Sequence, residues 1–289
     1  MSGLQGFVDR GRAVLRMEGA DARDVLQNVV TNDIGRVVPG RAVYAALLTP
    51  QGKYLFDFLL LEGPDGAVLI DTDANRAEAL AQRLKMYCLR RDARITGAAG
   101  LGVVLVWGGA PTDAGLIVPD PRTPALGWRI YAADPEAALA ATGAALADRA
   151  AYDALRVAHL VPASGIELVP DDTYILEAGF EALNGVDFRK GCFVGQEVTA
   201  RMKHKTGLKK RLVQVRVEGK AAPGTPVTAA GKPAGTLFSQ AQGRGLAHLR
   251  LDRAEVMFAA GEALEAGAAR VIYEGGAVSS GNRAAKPSR

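Results

Sequence analysis

The stretch VYAALLTPQGKYLFDFLLLE, residues 43–62, decides how the chain folds. Two apolar runs flank Pro50-Gln51-Gly52, which carries turn chemistry, so the stretch reads as two strands joined in a hairpin. One carboxylate interrupts the second run: Asp57, in LFDFLLL. A carboxylate in an apolar strand needs a partner or a raised pKa, unless strand alternation points it to solvent. The strand period alone leaves both open.

Outward from the hairpin, RAVLRME (12–18) alternates like a short strand, and GADARDVLQNVVTND follows as a helix that Asp21 can cap, with Val25, Leu26 and Val29 inward. GAVLIDT is a third strand. Asp73 can cap a helix over about 75–88 that turns Leu80, Leu84 and Tyr87 to one side. RDARIT and LGVVLVW are further strands, and DPEAALAATGAAL is a helix opened by Asp134 and Pro135. This mixture predicts α/β layers. From about Leu212 the pattern changes to short strands with Gly and Pro at close intervals, LVQVRVEG, TPVTAAGKPAGTLFS, RGLAHLRL and AARVIYEG, which predict a small antiparallel barrel or sandwich. The cationic segment MKHKTGLKK separates the two regions, giving an expected division into 1–206, 207–278 and a disordered polar tail at 279–289.

With 289 residues, 48% apolar and 23% charged, the chain has an ordinary globular composition and length for about two domains. Its net charge of +4 suits an anionic small ligand, an acidic protein or RNA and selects none of them. RNA is the weakest of these, because no aromatic-plus-basic motif of the RRM type appears. Two cysteines exclude a disulfide framework and suit a reducing compartment. No apolar run reaches the roughly 18–20 residues that span a bilayer, and the N-terminus lacks the apolar core of a secretory signal. These features lead to an expectation of a cytoplasmic protein without a membrane partner.

RKGCFVGQEVTAR, residues 189–201, sets Cys192 beside Arg189 and Lys190 and just before a helix-forming run. Cations and a helix start both favour thiolate; the plainer reading is a small buried apolar residue. Cys88, in KMYCLRR on the apolar side of its helix, fits the plainer reading better. Clusters typically need about four cysteine ligands, and His159, His204 and His248 have no zinc-type spacing. The chain alone is not expected to house a cluster, although Cys192 could share one with a partner. Walker, GxGxxG-plus-helix, HExxH and GxSxG motifs are absent.

NGVDFRKGCFVGQEVTAR (184–201) resembles the Lys-Gly-Cys-(Tyr or Phe)-x-Gly-Gln-Glu signature of the YgfZ-type folate-binding proteins and the related mitochondrial iron–sulfur assembly factors. In this chain the signature is Lys190, Gly191, Cys192, Phe193, Gly195, Gln196 and Glu197. The wider sequence is similar to the glycine cleavage T-protein (aminomethyltransferase) in LQNVVTNDIGRVVPGRAVYAALLTPQGKYLFDFLLL, YILEAG and KKRLVQVRV.

The resemblance implies an α+β fold: a T-protein-like ring of mixed α/β subdomains with a C-terminal antiparallel β-barrel and tetrahydrofolate, or a derivative, in the middle. Glu177 falls on the carboxylate that holds the pterin, which can accept two N–H groups side by side. Asp57 falls on the T-protein's catalytic aspartate. Arg211 falls near the arginine that contacts the folate glutamate tail, with Lys209 and Lys210 as competitors. Lys190 would favour the thiolate, and Gly191 and Gly195 would allow close backbone approach. Gln196 and Glu197 would fix the segment at the helix start. T-proteins lack this cysteine, so the first functional expectation is a folate-binding accessory factor for assembly or repair of iron–sulfur proteins, and of tRNA thiomodification that depends on them. Its expected partners are iron–sulfur client or assembly proteins. The alternative is a folate-dependent one-carbon transferase that uses Asp57.

Overall fold

A computed structural model describes residues 3–97, 100–112, 115–204 and 207–275. Residue 206, where the sequence ends the first region, and the tail at 279–289 lie outside the described residues. The chain opens with β1 (Gln5–Val8), β2 (Arg12–Glu18), α1 (Ala22–Val29), β3 (Val43–Leu48), β4 (Tyr54–Glu62) and β5 (Val68–Asp73). It continues through α2 (Ala77–Tyr87), β6 (Arg94–Gly97), β7 (Gly102–Trp107), β8 (Leu116–Pro119) and β9 (Trp128–Ala132). Then come α3 (Pro135–Ala141), β10 (Ala145–Leu146), α4 (Arg149–Ala158) and, after a long irregular segment, α5 (Gln196–His204). Last are β11 (Lys210–Glu218), β12 (Thr225–Ala229), β13 (Lys232–Ala241), β14 (Arg244–Arg250), α6 (Leu251–Ala260), β15 (Leu264–Ala266) and β16 (Ala269–Ile272).

These strands form two five-stranded sheets, β3-β4-β5-β2-β6 and β10-β1-β7-β9-β8, and a closed barrel, β11-β14-β13-β12-β15-β16. The hairpin that opened the sequence reading is β3–β4, with Ala46 opposite Asp57. Its strands are apolar almost throughout because both faces of their sheet are covered. Phe56, Phe58 and Leu60 pack with Val25, Leu26 and Val29 of α1 and Leu80 and Leu84 of α2. Leu59 and Leu61 pack with Val103, Leu105 and Tyr131 of the other sheet and with Phe180. Solvent therefore meets neither face, and simple alternation fails as a guide to burial.

The helix starts differ from expectation in instructive ways. Asp134 and Pro135 open α3 as expected, with the Asp134 carboxylate accepting the Ala137 N–H at 2.9 Å. Asp21 does not cap α1; its carboxylate accepts the Asp92 N–H at 2.9 Å and ties α1 to the start of β6. Asp73 caps a single 3-10 turn at Ala74–Arg76, after which α2 begins. Helix α3 stops at Ala141, and the expected helical residues 145–146 instead pair in parallel with β1. The sequence reading missed α4, which Asp148 caps through the Ala151 N–H at 2.8 Å, and α6, inserted between two barrel strands.

The barrel interior is aliphatic, built from Val213, Val215, Val217, Val227, Leu237, Leu249 and Val271. A buried ion pair ties it to the rest of the chain. Glu167 accepts Arg156 Nη1 at 3.1 Å and the Ala163 N–H at 2.9 Å on one oxygen, and the Ser239 N–H of β13 at 3.0 Å on the other. Val157 of α4 and Leu212 and Leu246 of the barrel form an apolar cluster at the same junction.

Candidate functional site

The β3–β4 hairpin is the hub on which the distant motif segments meet, with Gly195 at its Thr49–Gly52 turn. Gly195 lies against it so closely that a Cβ there would stand 2.6 Å from Thr49 O and 3.0 Å from Gly52 Cα, at a φ of 81° that favours glycine. The YILEAG segment meets the hairpin through the Tyr54 N–H, which donates to Thr173 O at 2.8 Å, and a bridge between Lys53 and Tyr174. Thr31 and Asn32 clip the hairpin to the Asn184-Gly185 turn. Thr31 Oγ1 accepts the Ala46 N–H at 2.9 Å and donates to Gly185 O at 2.7 Å. Asn32 Nδ2 donates to Tyr44 O at 2.8 Å and Asn184 O at 2.7 Å. Thr31 and Asn32, in the VVTND stretch that resembles the T-protein, are thus structural in this chain.

Each residue flanking Cys192 has its own anchor. The Lys190 ammonium donates to Gln27 O and to Val30 O (2.6 Å) at the C-terminal end of α1, where a cation suits the helix dipole. Burial pushes this ammonium down to about 8, with Asp33 and Asp187 acting the other way. Gln27 returns a bond to Lys190 O at 3.1 Å. Phe193 is buried in the core, and its N–H donates to Gln196 Oε1 at 3.2 Å while the Gln196 N–H donates to Phe193 O at 3.2 Å, a reciprocal closure of the turn before α5. Glu197 is exposed and pairs with Arg201 one helical turn on, at 2.5 Å. Gly191 has a φ of 98° with open space around its Cβ position. Cys192 is left exposed, as is Arg189, whereas Cys88 is half-buried with its thiol pushed up by burial and donating to Leu84 O at 3.3 Å. The first expectation for Lys190, support of the thiolate, meets a different geometry: its ammonium is committed to the end of α1.

Asp57 is 5% exposed and resolves the choice that its strand left open. Tyr54 Oη donates to Oδ1 at 2.7 Å, Tyr44 Oη to Oδ2 at 3.1 Å, and Ser164 Oγ to Oδ1. Burial, then the Asp57 charge, raises both phenols well above the usual tyrosine range, so they remain donors. The ring of Tyr44 faces the Arg122 guanidinium at 5.6 Å. Behind it runs a buried charge network between the two sheets. Asp71 accepts from Arg12 (2.6 Å), Arg129 (2.7 Å) and Tyr131 (2.8 Å), and Asp120 accepts from Arg122 (2.8 Å) and Arg129 (3.0 Å). The sequence reading named none of the three partners of Asp57: Tyr44 shares a sheet face with it only through the register of the hairpin, and Ser164 lies 107 residues away in sequence.

Glu177 is half-buried, and its carboxyl is pushed up by burial against the opposing charges of Lys210 and Lys53. Its backbone carbonyl accepts the Leu212 N–H of β11 at 2.7 Å. Lys210 is thus the barrel cation that acts on Glu177. Arg211, the residue expected near the folate glutamate tail, follows it by one residue on a strand and so takes the opposite face, with Val213, Val215 and Val217 and near Tyr273. Arg211 Nε has no hydrogen-bond partner among the described residues. His248, across from Leu212 on β14, is 4% exposed and its Nε2 is likewise unpartnered. Burial, then Lys210, holds its imidazole down at about 4 from 6.5, with Asp172 opposing.

That shift gives a pH dependence. An unfolded chain takes up a proton at His248 below about pH 6.5 that the folded chain refuses until about pH 4, so stability falls as pH drops through this window. The loss amounts to about 3 kcal/mol at most. Glu177, with its raised carboxyl, acts in the opposite sense near the bottom of the window. Urea midpoints at pH 7.5 and 5 are therefore expected to differ less for His248→Gln than for the wild type, and an equal difference would show that His248 does not titrate as described.

The barrel matches the family described as the CAF17 C-terminal beta-barrel domain over residues 209–274. The overall fold is similar to the glycine cleavage system aminomethyltransferase T of Bartonella henselae, with a TM-score of 0.72 at 17% identity over 87% of this chain and 79% of that one. The α+β, T-protein-like architecture with its closed barrel is thus as the sequence implied. In sequence, the chain is 34% identical over 273 residues to the mitochondrial iron-sulfur cluster assembly factor IBA57 of Mus musculus, covering 83% of this chain and 76% of the mouse protein. It is 32% identical over 270 residues to the human protein of the same name, covering 83% and 75%. Both relatives are named mitochondrial, as are fungal homologues, which overturns the expected cytoplasmic location. The missing apolar core bears only on secretory signals; mitochondrial transit segments are amphipathic and arginine-rich and have no such core. With this identity over more than three-quarters of both chains, the protein belongs to the IBA57 family of iron-sulfur cluster assembly factors.

Proposed function

We propose that the protein is an accessory factor for assembly or repair of iron–sulfur proteins, in which Cys192 supplies one thiolate to a cluster shared with a partner. The observation that carries this reading is an exposed thiol whose neighbours Lys190, Phe193, Gly195 and Gln196 are all anchored elsewhere, so the sulfur has no packing duty. Clusters typically take about four ligands. Among the described residues no group of three or more His, Cys, Asp or Glu side chains could hold a metal ion. The remaining ligands come from the client or assembly protein. Loss of tRNA thiomodification would follow where the modifying enzyme is such a client.

The same reading gives the protein a reduced folate, tetrahydrofolate or a derivative. Glu177 suits the pterin edge: its carboxylate is half-buried and makes no side-chain hydrogen bond among the described residues, so its acceptors are available. Lys210 and Lys53 lie close enough to act on it and can take an anionic part of the ligand. Bound folate would supply a one-carbon carrier. Asp57 does not offer free acceptors in the same way, because two tyrosines and Ser164 occupy its oxygens. This favours the accessory role over a one-carbon transferase.

Removing a charge-assisted pair typically costs about 1.5–3 kcal/mol. Glu177→Ala is therefore expected to weaken tetrahydrofolate binding about ten- to a hundredfold in calorimetry. Unchanged affinity would remove Glu177 from the site. Methylene transfer from a lipoylated carrier to tetrahydrofolate is the matching activity assay, and robust turnover there would revive the transferase.

A further inference from the structure

The C-terminal end of α2 carries a side-chain cluster that the folate and cluster readings leave unused. After Tyr87 the chain makes a tight turn, with the Cys88 N–H donating to Lys85 O at 3.2 Å and the Arg91 N–H to Cys88 O at 3.0 Å. Arg90 sits in this turn at a φ of 64°, a left-handed conformation that is costly for a residue with a Cβ. Leu89 in the turn and Met86 in the last turn of α2 stand in water, 75% and 53% exposed, while Leu80 and Leu84 hold the helix to the core. Lys85, Arg90 and Arg91 are exposed around them.

The nearby carboxylates in sequence and space are spoken for. Asp92 Oδ2 accepts the Ala20 N–H at 3.2 Å, Asp21 accepts the Asp92 N–H, Glu78 accepts from Gln82 at 3.3 Å, and Glu18 is held by Arg94 and Arg16. Among the described residues, Lys85, Arg90 and Arg91 form no ion pair. A projecting apolar tip ringed by uncommitted cations is complementary to a socket rimmed with carboxylates. Two features favour a protein over a membrane. Arginine and methionine are enriched at protein interfaces, and arginine pairs carboxylates in a planar fork. Membrane-surface helices instead lay a broad apolar face with Trp, Phe or Leu along the bilayer, whereas the apolar face of α2 is turned to the core.

We propose that this turn is a docking knob for an acidic partner protein, Leu89 entering an apolar socket while Lys85, Arg90 and Arg91 pair with carboxylates at its rim. The proposal stands apart from the folate and thiolate readings, since none of its residues belongs to either.

The test is photocrosslinking in cells from a benzoylphenylalanine placed at position 89 of the full chain, with position 146 as control, because Leu146 is also strongly exposed at 83%. The expected result is one identified protein linked at 89 and not at 146, through a peptide rich in Asp and Glu. That purified protein should bind the wild type in a salt-sensitive way and bind Lys85→Glu/Arg90→Glu/Arg91→Glu about tenfold or more weakly. Leu89→Ser tests the socket without touching charge and should also weaken binding. Thermal melting shows that each variant is folded. An adduct with a second copy of this chain, with lipid or with nucleic acid overturns the proposal. So does the absence of an adduct above the position-146 level, or binding that survives both variants.

Discussion

Cys192→Ser is expected to abolish maturation of iron–sulfur enzymes in cells while leaving the protein folded and able to bind folate. The thiol is exposed and its neighbours are anchored independently, so the substitution should change stability by no more than about 0.5 kcal/mol. The chemistry changes far more, because soft thiolate suits iron–sulfur clusters and a serine hydroxyl does not. Three readouts belong together: aconitase-type activity in a strain carrying only the variant, melting temperature, and tetrahydrofolate affinity. Client activity is expected to fall to the level of the deletion strain with the other two unchanged. Normal client activity would make the thiol incidental. Loss of folding would make it a packing residue.

The second large effect belongs to the buried network between the sheets. Three arginines and two aspartates meet there, and Asp71 is fully buried among Arg12, Arg129 and Tyr131. Burial pushes the Asp71 carboxyl up, but the Arg12 and Arg129 guanidiniums outweigh it and leave it below the usual range. Asp71→Asn keeps the shape and removes the charge, leaving Arg12 without a carboxylate and Arg129 sharing Asp120 with Arg122 in a dry interface. Breaking a buried pair in this way typically costs about 3–5 kcal/mol. Chemical denaturation should show that loss at neutral pH. In the wild type the stabilisation is present above the unfolded carboxylate pKa of 3.8 and is lost as pH falls through the lower folded value. The gap between wild type and Asp71→Asn should therefore narrow in strong acid. A variant as stable as wild type at neutral pH would mean that the network carries no net attraction.

The hairpin, the other strands of its sheet, β7 and most of the barrel were legible because turn residues and apolar runs report local backbone form, whereas β1, β8 and β9 of the second sheet went unread and β10 was read as helix. The side chains that matter were less so. Asp57 could not be placed from the strand period, because β4 is covered on both faces and alternation no longer separates core from water. Lys210 faces Glu177 and Arg211 faces Tyr273 through one step of strand register, which a basic run such as KKR does not fix. Asp21 had the composition of a cap, but the Asp92 N–H took its carboxylate. Helix α6 was hidden because its neighbours on both sides are strands of one barrel. Cys192 stood out in the sequence by its flanking residues, yet its exposure depends on contacts to α1 and the hairpin that lie far away in sequence.

The anchors at Lys190 and Phe193 also limit how far the sulfur can travel. Only Gly191 and Cys192 lie between a residue pinned to α1 and one pinned in the core. A chain spans at most about 3.3–3.6 Å per residue, so two such residues cannot form a swinging arm. Gly191, with open space around it, is the single pivot, and it can turn the thiol without carrying it outward. Any cluster bound at Cys192 must be brought to this surface on a protruding or mobile element of the other protein. The stationary thiol has already given up most of its conformational freedom on folding, so little more is lost when the two proteins meet.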